Sequence, residues 1–257
     1  VVAVHCRTDR LMIEGCSGRP PCRVREPIFL GNSGTSLRLL TGAALLCGNP
    51  LILTGDARLQ ERPVGPLVEA FNALGGEIAY LGRAGCPPIR VQGRLRGGSV
   101  EIDGSVSSQF ASSLLMAAPY AERDVEVRVR GPPVSRSYLD VTVDLMRVFG
   151  VPVEREGYSR FRVRGGRGYR AARYAVEGDY SSASYFFAIA AVCGGRVAVE
   201  NLNPGSVQGD RLFLDALEAM GCRVRRSAGR IAVERTGGLS GIEIDMSSSP
   251  DTVQTLC

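Results

Sequence analysis

The sequence predicts an α+β protein built from a repeated strand–helix–strand–helix–strand–strand unit, βαβαββ, and three observations lead there. A serine-rich start followed by an apolar helical run recurs at 74-residue intervals, at Ser33-Gly34-Thr35-Ser36, Ser107-Ser108-Gln109-Phe110 and Ser181-Ser182-Ala183-Ser184. Self-similarity at a fixed period marks a repeat architecture. A second pattern interleaves with the first: a helix end, then Gly75, Gly150 or Gly221, then a strand. Segments such as Val125-Glu126-Val127-Arg128-Val129 alternate apolar and charged residues. That leaves one sheet face in water and favours mixed or antiparallel sheets over a doubly wound parallel sheet.

Each element has its own justification. Asn32-Ser33-Gly34-Thr35 opens the first helix, with a glycine that lets backbone approach a ligand closely. Leu67, Val68, Phe71 and Leu74 fall at i, i+1, i+4 and i+7 after Pro63, which predicts a helix with Pro63 in its first turn. Gly75 suits the left-handed turn that ends it, and Ile89-Arg90-Val91 the closing strand. The next unit repeats the pattern with Ser107, the strand at Val125, an apolar stripe of Tyr138, Leu139, Leu145, Met146 and Phe149, then Gly150 and Phe161-Arg162-Val163. The third runs from Ser181 through Gly221 to Ile231-Ala232-Val233. A fourth copy starts at Ser247-Ser248-Ser249-Pro250-Asp251, shortly before Cys257, and Val1 falls partway through a unit. The repeat is therefore expected to be truncated at both ends.

Composition narrows the chemistry. Of 257 residues, 44% are hydrophobic and 22% charged, as in an ordinary soluble globular protein of one or two domains. No apolar run approaches the roughly 18 residues of a membrane helix, and no signal peptide is visible, so a cytoplasmic protein is expected. All 31 basic residues are arginines; without lysine there is no P-loop and no Schiff base. His5 is the one histidine, which argues against a histidine triad and against zinc. The eight cysteines contain no C-x-x-C pair and read as reduced thiols. A net charge of +5, scattered along a chain with 6% aromatics, does not make a nucleic-acid platform. Arginine in quantity suits carboxylate and phosphate recognition.

A serine-rich loop feeding a helix is an anion site, because free N–H groups and the positive end of the dipole point at the ligand. Taken singly, a serine there is an N-cap. Ser107, Ser108 and Gln109 together exceed what capping needs. Arg62, before Pro63, is placed to hold an oxyanion bidentately or to pair with Glu61. Asp251, at a helix start, reads equally as a cap. The residues alone describe a polyanion site on helix N-termini and name no reaction.

Several stretches resemble motifs of the 5-enolpyruvylshikimate-3-phosphate synthase family, and the likeness runs over nearly the whole chain. They are Gly31-Asn32-Ser33-Gly34-Thr35-Ser36-Leu37-Arg38, Glu61-Arg62-Pro63-Val64-Gly65, Asp103-Gly104-Ser105-Val106-Ser107-Ser108-Gln109-Phe110 and Val134-Ser135-Arg136-Ser137-Tyr138-Leu139-Asp140. Glu177-Gly178-Asp179-Tyr180-Ser181-Ser182, Gln208-Gly209-Asp210 and Pro250-Asp251 continue the series. The resemblance implies the two-domain enolpyruvyl transferase fold, an inside-out α/β barrel-like array with three units per domain. Residues 1–176 would form most of the first domain and residues 177–257 the first part of the second. It also implies enolpyruvyl transfer from phosphoenolpyruvate to the 5-hydroxyl of shikimate 3-phosphate, with no metal or redox cofactor, in a protein that is monomeric at full length and binds neither nucleic acid nor membrane.

Carried over residue by residue, Ser107, Ser108 and Ser135 would hold the shikimate phosphate, with Tyr138 lining that side. Gln109 would touch both substrates, Gly34 and Arg62 would contact phosphoenolpyruvate, and Asp251 would bind the shikimate side and take the hydroxyl proton. The family's first-unit lysine and its later basic residues have no counterpart here, so the 257-residue chain is expected to bind shikimate 3-phosphate weakly and to turn over negligibly. Leu39 stands where some members have proline, in a region that shapes glyphosate fit. Two alternatives stand beside this reading. The sister UDP-N-acetylglucosamine carboxyvinyltransferases carry a reactive cysteine in the loop before their Arg-Pro pair, and residues 56–61 have none. The other is a non-catalytic anion- or nucleic-acid-binding repeat module.

Overall fold

A computed structural model gives the fold and describes residues 3–16, 18, 20 and 24–257; Val1 and Cys22 lie outside the described residues. The chain divides into two compact units, Val1–Pro133 with Thr142–Ala172, and Val134–Val141 with Arg173–Cys257.

In the first unit, β1 (Ala3–Arg7) and β2 (Arg10–Glu14) pair antiparallel. Next come β3 (Ile28–Phe29), α1 (Gly34–Ala44), β4 (Leu51–Thr54), α2 (Gly65–Ala73), β5 (Gly76–Tyr80) and β6 (Ile89–Gly93). Their sheet has the order β3-β4-β6-β5, parallel between β3 and β4 and antiparallel elsewhere. The second set is β7 (Gly98–Asp103), α3 (Ser108–Ala117), β8 (Val125–Arg130), α4 (Arg136–Val148), whose residues 136–141 count with the second unit, β9 (Val153–Glu156) and β10 (Arg160–Val163). It repeats the same plan as β7-β8-β10-β9. On β8, Val125, Val127 and Val129 are buried while Arg128 is exposed, as the alternation predicts. Fully buried Leu37, Leu53, Leu67, Phe71, Ile89, Phe110 and Phe161 fill this unit between helices and sheets. Each buried phenylalanine contributes roughly 2–3 kcal/mol.

The second unit contains α5 (Tyr180–Cys193), β11 (Arg196–Glu200), α6 (Leu212–Ala219), β12 (Cys222–Ser227), β13 (Arg230–Arg235) and α7 (Val253–Leu256). Its sheet, β11-β13-β12, is antiparallel throughout. Tyr180, Phe187, Leu202, Phe213, Leu214 and Ile231 form its core. Gly75, Gly150 and Gly221 all take the positive φ expected after a helix, at 104°, 82° and 105°.

Three expectations shift. α2 starts at Gly65, so Pro66 rather than Pro63 lies in its first turn. Pro63 instead holds Arg62 extended, at φ −77° and ψ 130°, as a proline does to the residue before it. α5 is capped by Asp179 and not by a serine, because the carboxylate accepts from two amides, Ser181 N and Ser182 N. Among the described residues no strand lies between β10 and α5. The Gly178 carbonyl that a ladder would use accepts from Gln208 Nε2 instead, at 3.0 Å.

Candidate functional site

Two helix starts lie together in the first unit. α1 and α3 run side by side, and Gly42 permits the close approach. A Cβ there would stand 3.0 Å from the Ser113 carbonyl oxygen and 3.1 Å from the Ala117 methyl. Ser113 Oγ donates to the Arg38 carbonyl at 2.6 Å, fastening the pair. Nearer the helix starts, the Arg38 guanidinium donates to Gln109 Oε1 at 2.8 Å and lies 3.5 Å from Ser107 Oγ. Gln109 Nε2 donates to Thr35 Oγ1 at 3.0 Å. Arginine has only donors, so the atom facing it is the amide oxygen. Gln109 is thereby fixed with its NH2 on the side of the α1 start.

The caps are as the serine pattern predicts. Ser33 Oγ accepts from Ser36 N at 3.1 Å and Ser107 Oγ from Gln109 N at 3.2 Å. Each cap hydroxyl takes one amide, and in α3 the Phe110 amide turns back to the Ser107 carbonyl at 3.3 Å; the earlier amides have no acceptor within the helix. Two parallel dipoles add their positive ends at this place.

Arg62 reaches the same corner: a Cβ on Gly34 would stand 2.8 Å from Arg62 Nη1. Burial first, then the neighbouring Arg62 charge, holds the Arg38 guanidinium below its usual value. Arg38 Nε is buried and has no hydrogen-bond partner, and its guanidinium carbon lies 5.2 Å from the Phe110 ring centre. Among the described residues neither arginine pairs with a carboxylate. Two guanidiniums beside two helix N-termini lack only an oxyanion. Gly34, Arg62, Ser107, Ser108 and Gln109 thus belong to one corner, Ser108 as the buried first residue of α3. Arg38 was not singled out as a site residue from sequence. The available signal was an arginine in the first turns of a helix with no acidic partner.

Ser135, Tyr138 and Asp251 belong to the second unit. Ser135 takes φ 52°, a strained value for a residue with a side chain, and its carbonyl accepts from Tyr138 N at 3.1 Å. Tyr138 Oη donates to Asp251 Oδ2 at 2.5 Å. Burial, followed by that bond, pushes the Tyr138 phenol well above its usual value. A cleft beside it is lined by Ser137, Tyr138, Asp179, Gln208, Gly209 and Asp210. Burial also raises the Asp210 carboxyl, and the charges of Asp251 and Asp179 act in the same direction.

A thiol does approach the loop at residues 56–61 from elsewhere. Cys86 Sγ donates to the Glu61 carbonyl at 3.6 Å, but it is buried, where a structural thiol belongs. Among the described residues no group of three or more His, Cys, Asp or Glu is disposed to hold a metal ion. No helix among them is long and apolar enough to cross a membrane.

The sequence matches a family model described as EPSP synthase (3-phosphoshikimate 1-carboxyvinyltransferase) over residues 3–257. It is 65% identical over 246 residues to the 3-phosphoshikimate 1-carboxyvinyltransferase of Methanoculleus marisnigri, covering 96% of this chain and 58% of that protein. The corresponding protein of Methanoregula boonei is 55% identical over 256 residues, covering 100% of this chain and 61% of its own length. An Escherichia coli protein of the same name is 46% identical over 230 residues, 89% of this chain and 54% of its own. The solved structure of EPSP synthase from Acinetobacter baumannii superposes with a TM-score of 0.73 at 27% identity, over 90% of this chain and 53% of that one. The chain spans about three fifths of the length of the curated relatives it matches, at 58% and 61% for the first two. A match along nearly all of its residues and a shared fold agree on one conclusion: the chain belongs to the EPSP synthase (3-phosphoshikimate 1-carboxyvinyltransferase) family.

Proposed function

We propose that this protein transfers the enolpyruvyl group of phosphoenolpyruvate to the 5-hydroxyl of shikimate 3-phosphate and releases phosphate. The observation that carries the reading is the corner beside the starts of α1 and α3, where Arg62 reaches Gly34 and its charge is felt by Arg38. Both substrates are polyanions, and a site made of guanidiniums, hydroxyls, amide donors and helix ends is matched to them.

In this reading Ser107, Ser108 and Ser135 hold the shikimate phosphate, and Tyr138 lines the ring. Gly34 and Arg62 receive phosphoenolpyruvate. Gln109, with its polarity set by Arg38, offers its NH2 to both substrates. The 5-hydroxyl oxygen bonds to C2 of phosphoenolpyruvate while its proton passes to the Asp251 carboxylate, which must lie within hydrogen-bond reach of that oxygen, and the C2=C3 electron pair takes up a proton at C3. The tetrahedral adduct then loses a C3 proton and expels phosphate, which restores the double bond. Arg62 acts by charge, offsetting the crowded negative groups as they meet.

The test is an assay of the native protein at the length of its curated relatives, of which this chain spans about three fifths, with both substrates, following phosphate release and the vinyl-ether protons of the product by NMR. Product is expected, with kcat lowered at least about 100-fold in Asp251→Ala, the scale of general-base catalysis. Absence of product with native protein, or unchanged kcat in that variant, overturns the assignment or the role of Asp251 respectively.

A further inference from the structure

Gln208-Gly209-Asp210 has no part in the chemistry above, yet it ties three segments of the second unit together. Gln208 Oε1 accepts from Tyr180 N, and its Nε2 donates to Glu177 Oε1 and to the Gly178 carbonyl, all at 3.0 Å. This holds the approach to α5. At Gly209 a Cβ would stand 2.4 Å from the Ser248 carbonyl oxygen and 2.5 Å from Ser137 Oγ. Only a residue without a side chain lets those two segments close in, and Ser137 Oγ donates to that same carbonyl at 3.2 Å.

Asp210 completes the set. It is 7% exposed, and Ser249 and Thr252 are fully buried. Ser249 Oγ donates to Asp210 Oδ1 at 2.7 Å and lies 2.7 Å from Thr252 Oγ1. These bonds bracket the short helical turn Pro250–Thr252, in which Pro250 and Asp251 are exposed. The groups facing Asp210 are Asp251, Asp179, Ser249 and Ser181, with Tyr138 sensing its charge. The next residue, Arg211, is directed to the Pro204 carbonyl at 2.8 Å. A carboxylate placed among two others with little solvent is costly. An apolar side chain would avoid that cost, so the position needs an acceptor.

We propose that Asp210 is a positioning residue: it anchors Ser249 and so sets the Pro250–Thr252 turn that presents Asp251 to the Tyr138 hydroxyl. The proposal rests on Asp251 being the proton acceptor. Its force comes from geometry, since misplacing a reacting group by about 1 Å costs on the order of 100-fold in rate. A charge-assisted bond to a buried hydroxyl is the kind of contact that holds a turn to that tolerance.

The experiment uses the native protein with Asp210→Ala, Asp210→Asn, Ser249→Ala, the double variant Asp210→Ala/Ser249→Ala, and Asp251→Ala. The readouts are kcat, KM for both substrates, and hydrogen exchange of the amides in residues 247–256. Asp210→Ala is expected to lower kcat by about 10- to 100-fold with KM for phosphoenolpyruvate little changed. Asn keeps an oxygen for Ser249 Oγ and should restore most of kcat. Ser249→Ala should reproduce the loss, and the double variant should be no worse than either single one, with faster exchange in all three. Wild-type kcat in Asp210→Ala per folded protein, or a loss that Asn does not recover, overturns the proposal. Asp251→Ala separates the two readings. Wild-type turnover there overturns the role of Asp251, and the exchange rates then decide alone whether Asp210 holds the turn.

Discussion

Arg38→Met removes a guanidinium that anchors Gln109 but has one buried nitrogen unpaired and a second guanidinium for a neighbour. In the free protein the losses are a charged hydrogen bond, about 1.5–3 kcal/mol, and the contact with the Phe110 ring, about 0.5–1 kcal/mol. The gains are relief of the unpaired Nε, about 1–3 kcal/mol, and of the repulsion from Arg62. Methionine fills the same channel with a flexible, apolar chain. These terms are of one size and opposite sign, so stability should change by less than about 1 kcal/mol, or a Tm shift of about 2–4 °C. The liganded protein differs, because there an oxyanion has compensated both arginines. Losing one of them, together with the fixed polarity of Gln109, removes roughly 2–3 kcal/mol of binding, about 30- to 150-fold in Kd. Differential scanning fluorimetry of the free native protein and calorimetric titration with shikimate 3-phosphate and phosphoenolpyruvate measure the two halves. A large fall in Tm would show Arg38 to be a scaffold residue. An unchanged Kd for both ligands would refute the anion corner.

Gly34→Ala brings a methyl to within 2.8 Å of Arg62 Nη1. The flexible arginine end should give way, raising KM for phosphoenolpyruvate several-fold while leaving Tm unchanged, as steady-state kinetics and a melt would show. Gly209→Ala has no such escape, since backbone lies 2.4 Å from the added methyl. A loss of about 1–3 kcal/mol is expected in chemical denaturation. Asp210 supplies a pH test. Its folded carboxyl is raised above the ordinary 3.8, so its contribution to stability is fully present below that value and is lost as pH rises through the folded pKa. Asp210→Asn should remove this downward step from the stability–pH curve, and a curve identical to wild type would contradict the burial of that charge. Tyr138→Phe deletes the donor to Asp251 and should raise KM for shikimate 3-phosphate, with little change in that for phosphoenolpyruvate.

Periodicity made the scaffold legible because the repeat imposes the same physical demands in each copy. The glycine after a helix must take positive φ, and Gly75, Gly150 and Gly221 do. The strand at Val125 alternates because one face is buried. Less legible were features settled by long-range partners. Asp179 outcompetes the adjacent serines as a cap because one carboxylate reaches two amides. At the start of the third copy the Gly178 amide still donates to the Asn201 carbonyl, while Gln208, from elsewhere in the chain, takes the Gly178 carbonyl. Arg38 was hidden for a related reason. Its meaning comes from Gln109 and Arg62, distant in sequence, and a lone arginine on a helix carries no such sign. Asp210 likewise gains significance only through Ser249.

The contrast among helix caps has a wider consequence. In α5 the amides of Tyr180, Ser181 and Ser182 are all engaged from within, by Gln208 and by Asp179. That socket is already plugged. In α1 and α3 the cap is a neutral hydroxyl that occupies a single amide, and no acidic side chain in the first turn closes the socket. One or two side chains per copy therefore decide whether a duplicated helix greets a visitor or closes on itself, and identical architecture can be given unequal duties without touching the core.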